Sequence, residues 1–136
     1  MSFAQLVVRY TLTLIACIIA VDLVFSLLAL IKIWLAKPGY EIVAVPLAAW
    51  LTGTAYGTNA SAASSGFLWR AAAVFATIGF VGLTGHLLLA TALRGITLPS
   101  APAASLAFLI GLVFVVCLVS ARVAFGYGAK GAAAKA

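Results

Sequence analysis

AAAVFATIGFVGLTGHLLLATAL, residues 71–93, decides the fold class, because it runs its whole length without Asp, Glu, Lys or Arg. Roughly 20 mostly apolar residues suffice for a helix to cross the hydrocarbon of a bilayer. Working outward, the stretch 95–121 is equally free of charge, and 10–31 is interrupted only by Asp22. The stretch 42–69 is the weak one. Its apolar part ends at Tyr56 and is followed by small and polar residues through Gly66.

Composition carries the same message. Hydrophobic residues make up 66% of the 136 and charged residues 7%, with a mean hydropathy of +1.28. Ordinary soluble domains are about 25% charged. Ten charged side chains leave most of such a surface facing lipid or protein. The fold predicted is therefore all-α: a polytopic membrane protein, one domain over residues 1–136, built as a four-helix transmembrane bundle with short loops. Spans are placed at about 10–33, 41–59, 68–93 and 101–124, and residues 126–136 form a short cytoplasmic tail. Three spans with a re-entrant second segment is the alternative.

Local signals set the joints. Lys37-Pro38-Gly39-Tyr40 breaks the chain after the first span, and Glu41 stands where the next helix opens, a position that suits its charge. Pro46 is tolerated in early turns, and Ser65 is a candidate N-cap for the third helix. Leu14-Ile15-Ala16-Cys17 spells a lipoprotein-like box, but membrane helix continues after it. Cys17 and Cys117, inside spans, read as packing residues.

With four spans, Arg9, Arg70, Arg122, Lys130 and Lys135 share one side, and Lys32, Lys37 and Arg94 the other. The basic excess places both termini in the cytoplasm. Tyr10, Trp69 and Tyr127 fit an aromatic belt on that side, and Trp34 and Tyr40 one on the other.

Scarcity of polar groups excludes most chemistry. One His, two acids and two Cys are too few for a His/Cys zinc site or a paired-carboxylate mechanism. No phosphate-cradling loop is present. No catalytic residue, metal or cofactor is expected. The net charge of +6 is scattered, so membrane lipids and not nucleic acid are the expected partners.

Asp22 and His86 are the exceptions. An ionised Asp deep in a span costs about 2.5–3.5 kcal/mol. At about 1.5 Å per residue, Asp22 lies about 20 Å above Arg9 and His86 about 24 Å above Arg70. The two form a predicted intramembrane polar pair, read as a clamp between helices, with proton or ion coupling as the other reading. Gly79, Gly82 and Gly85 thin the third helix around His86, and Gly53 and Gly57 form a G-x-x-x-G step on the second. Small residues let helices approach closely, so the second and third helices are predicted to meet through these glycines. Thr52, Thr54, Thr58, Asn59 and Ser61 make the second helix the most polar. Such hydroxyls bond back to carbonyls one turn earlier, or line a small cavity.

Arg9-Tyr10 opening the first span, Phe67-Leu68-Trp69-Arg70 opening the third, and Arg122-Val123-Ala124-Phe125-Gly126-Tyr127-Gly128-Ala129-Lys130 closing the fourth resemble a family of small, uncharacterised four-span inner-membrane proteins of proteobacteria. That resemblance covers most of the chain in layout and implies a location and a topology. Small multidrug transporters also carry an embedded acid in the first of four spans; here it is Asp22 in place of Glu, and it lies deeper. The expected function is a non-enzymatic accessory, assembly or structural subunit of a larger inner-membrane complex, partnered by other membrane subunits or by its own copies. A small proton-coupled transporter working as a homodimer is the alternative.

Overall fold

The computed structural model describes residues 2–30, 40–57, 64–95, 97 and 100–135. Four α-helices follow one another, α1 Phe3–Leu30, α2 Ala44–Gly57, α3 Ser65–Arg94 and α4 Ala103–Ala133, with a short 3-10 turn at Tyr40–Val43 leading into α2. Among the described residues there is no strand. The caps are conventional. Ser64, one residue before the predicted cap at Ser65, accepts a hydrogen bond from the Phe67 N–H at 3.3 Å. Gly95 ends α3 in the left-handed conformation at φ 64°, which glycine adopts without steric cost. Pro102 stands directly before α4, where its missing N–H costs nothing.

Three of these helices, α1, α3 and α4, are long and apolar enough to cross a membrane. The chain is a membrane-type helical bundle. A fourth span is not supported: α2 has 14 residues, about 21 Å, against a hydrocarbon core of about 30 Å. An apolar helix of that length is characteristically a buried core helix or a re-entrant segment, and α2 is buried at Ala44, Val45, Ala48, Ala49, Thr52, Gly53 and Gly57.

The short helix nevertheless returns the chain to its starting end. The Phe3 and Phe67 rings meet at 5.9 Å, and Tyr56 stacks on Phe67 at 5.1 Å. The start of α1, the end of α2 and the start of α3 are therefore neighbours. Gly57 packs on Ala129 and Ala132, which brings the end of α4 to the same place. Both described ends of the chain lie at this terminal end of the bundle, and α2 fills only the half next to it.

In that half the helices approach closely. A methyl group built on Gly57 would strike the Ala129 carbonyl oxygen and lie 3.0 Å from its carbon. One on Gly53 would strike the Phe125 carbonyl oxygen, and one on Gly128 the Trp50 carbonyl oxygen. The glycines of α2 are thus spent on α4, contrary to the expected seam with α3. The reason is that α4 continues as helix to Ala133, through residues expected to form a tail, and contributes Gly128 as the reciprocal small residue. Of the α3 glycines, Gly79 meets Val45 of α2 and Tyr10 of α1, Gly82 faces Leu14 at 3.6 Å, and Gly85 has open space.

A run of aromatic contacts ties the same half together. Beyond the two pairs above, Tyr56 meets Phe125 at 5.7 Å, Phe125 meets Phe75 edge-on at 5.3 Å, and Phe75 stacks on Tyr10 at 4.0 Å. All four helices contribute. Tyr10 is therefore core, fully buried, and not part of an interfacial belt. Trp69 and Tyr127 do stand at the surface, 50% and 72% exposed, and the Arg122 guanidinium sits 5.5 Å from the Trp69 ring. Trp34 and the side chain of Tyr40 lie outside the described residues.

Candidate functional site

Asp22 projects from α1 and His86 from α3, near the level where α2 begins. His86 Nε2 lies 3.1 Å from Asp22 Oδ2. This distance suits a hydrogen bond or an ion pair. Each residue keeps about a third of its side-chain surface open, 30% for His86 and 33% for Asp22. Glu41 completes the group from the 3-10 turn before α2. A carboxylate oxygen of Glu41, one of Asp22 and a ring nitrogen of His86 all lie within 4.8 Å of one another. The chain's two acids and its single His therefore share one site, contributed by three elements.

The sequence joins Asp22 to His86 by depth but leaves Glu41 at a helix start, and so misses that the two carboxylates are close in space. Glu41 was legible in principle. The apolar run after it is too short to span, so a helix confined to one half of the bundle must open at depth, level with Asp22. Read instead as the mouth of a full span, Glu41 falls at the membrane edge.

The surroundings explain the placement. Beside the cluster, α1 and α3 diverge and leave an apolar groove of about 550 Å³ that reaches His86 and is lined by Leu14, Ile15, Ile18, Val81 and Gly82. Gly82 presents no side chain there, and the imidazole reaches across to α1 at Asp22. In such a setting each charge is costly alone, and the members of the cluster reduce that cost for one another. Two carboxylates and an imidazole are also oxygen and nitrogen donors able to hold one cation, and these are the residues in the described structure that come close enough to do so.

The hydroxyls of α2 do not join the site. Thr52 Oγ1 donates to the Ala48 carbonyl at 2.7 Å, and Thr54 Oγ1 to the Leu51 carbonyl at 2.7 Å, each satisfied within its own helix. Thr58, Asn59 and Ser61 lie outside the described residues. Cys17 and Cys117 are buried free thiols, both away from the cluster's donor group.

Comparison with family models, with curated proteins and with solved structures finds no match to this chain.

Proposed function

We propose that the chain is a non-enzymatic subunit of a larger complex in the bacterial inner membrane, multi-pass, with both termini cytoplasmic. One observation supports this reading: the Asp22–Glu41–His86 cluster is partly open and lies beside helix faces that carry no buried residue. None of residues 18–30, 80–94 and 103–116 is buried. Ionisable groups inside a membrane characteristically face protein or a water-filled cavity, and a neighbouring subunit seated on residues 18–30 and 80–94 would supply that cover. Orientation follows from the basic residues. Among the described residues, Arg9, Arg70, Lys130 and Lys135 lie toward the terminal end, and Arg94 ends α3 at the other; Lys32 and Lys37 lie outside the described residues, and the basic excess favours a cytoplasmic terminal end.

The test combines position and stoichiometry. Photo-crosslinkers at Leu23 and Leu89, 59% and 60% exposed, should capture one and the same membrane protein, and that protein should co-purify with the tagged chain in a fixed ratio in mild detergent. A clean monomer or dimer overturns the reading. The second reading, a proton-coupled homodimeric transporter, is favoured by the joining of Glu41 to the pair, which couples three elements to one protonation site. It requires Asp22→Asn to abolish transport while the protein still accumulates.

A further inference from the structure

At the terminal end of the bundle, α1, α2 and α4 border a second groove, of about 730 Å³. Arg9 reaches it from α1, and Lys135 from just beyond α4. Trp50 and Tyr127, 45% and 72% exposed, contribute rings to its walls, and Gly128 and Gly131 lie along the α4 side. Gly128 lets the α2 backbone approach this wall, and Gly131 leaves the groove unfilled beside it. Gly131 has open space where a Cβ would stand.

Its charge is of one sign. The chain's two acids, Asp22 and Glu41, both belong to the cluster with His86, so among the described residues no side-chain carboxylate lines this groove. The two threonine hydroxyls on its walls are engaged by their own helices: Thr13 donates to the Arg9 carbonyl at 2.7 Å, and Thr54 to the Leu51 carbonyl at 2.7 Å. The guanidinium and the ammonium are left as the charged donors, above walls that are otherwise apolar or aromatic. Long cationic side chains lay their stems along apolar surface and present their heads at the membrane interface. Aromatic rings with one polar edge prefer that level too.

We propose that this groove is a binding site for an anionic phospholipid, with the headgroup phosphate held between Arg9 and Lys135 and an acyl chain lying along Trp50 and Leu51. Basic pockets between membrane helices have the chemistry for such headgroups. The apolar walls argue for a lipid over a soluble phosphate, because a free anion would leave them wet. The site is separate from the Asp22–Glu41–His86 cluster and does not depend on the subunit reading.

Native mass spectrometry of the purified full chain, equilibrated with mixed phosphatidylglycerol and phosphatidylcholine, reads it directly. The chain should retain one phosphatidylglycerol in preference to phosphatidylcholine. Each cation near a headgroup contributes about fivefold, so Arg9→Gln with Lys135→Gln should weaken retention about thirtyfold. Arg94→Gln, the charge change of either single variant made at the far end of α3, should leave it unaltered. Both groove side chains are exposed; if the double variant nonetheless fails to accumulate, the single variants should each show the fivefold step. Equal retention of the two lipids, an equal loss with Arg94→Gln, or displacement by millimolar glycerol phosphate would each overturn the proposal.

Discussion

The two halves of this bundle are made of the same apolar residues and are held together differently. Next to the termini, four helices meet, glycines bring α2 and α4 backbones nearly into contact, and six aromatic rings form one chain of contacts. In the opposite half, three helices continue without α2, and Phe80 meets Phe114 edge-on at 6.0 Å. Leu30, Leu93 and Phe108 are 78%, 79% and 72% exposed. Hydropathy does not separate the halves; close approach does. In lipid, where tails are as apolar as Leu, association rests on van der Waals packing and on interhelical hydrogen bonds. One half uses the first, and the junction between the halves uses the second, at Asp22, Glu41 and His86.

The largest expected effect tests the aromatic chain. Phe75 is fully buried between Tyr10 and Phe125, and Phe75→Ala should cost about 3–5 kcal/mol of stability in a denaturant titration of the detergent-solubilised protein. Phe108→Ala in the open half should stay within about 0.5 kcal/mol. Comparable losses would erase the distinction between halves. The glycines sharpen it next. Gly57→Ala or Gly128→Ala pushes a methyl into backbone and should cost about 1–3 kcal/mol, whereas Gly85→Ala and Gly111→Ala, which meet nothing within 4 Å, should be neutral or gain up to about 1 kcal/mol from helix propensity. A loss at Gly111 equal to that at Gly57 would mean that the open half is packed as tightly as the other.

The smallest effect concerns the junction. Asp22→Asn and His86→Gln should each destabilise, and together cost less than their sum, with a coupling of about 0.6 kcal/mol and at most about 1.7. Strict additivity would remove the hydrogen bond as a tie between α1 and α3.

Much of this was legible in the sequence, and the reasons are physical. The three long helices follow from apolar stretches broken by at most one charge, and the meeting of Asp22 with His86 follows from helical rise. What escaped was partner choice. The G-x-x-x-G step at Gly53 and Gly57 announces a close approach but does not name the helix that makes it. Gly126, Gly128 and Gly131 near the end of α4 weaken helix propensity and so read as a tail, although Gly128 is small because Trp50 passes over it. Tyr10, next to Arg9, resembles an interfacial residue until its stack on Phe75 is seen. Local patterns fix elements; the mutual fit of small residues is settled only between elements.

The shortness of α2 has a consequence for how the chain assembles. A 14-residue helix led in by an acidic 3-10 turn is a poor candidate to partition into lipid on its own, and the helix it packs on most is α4, the last of the four in chain order. The main packing contact of α2, the approach of Trp50 to Gly128, thus becomes possible only after α4 has been made. A chain released before α4 is made would therefore lack the main seat of α2.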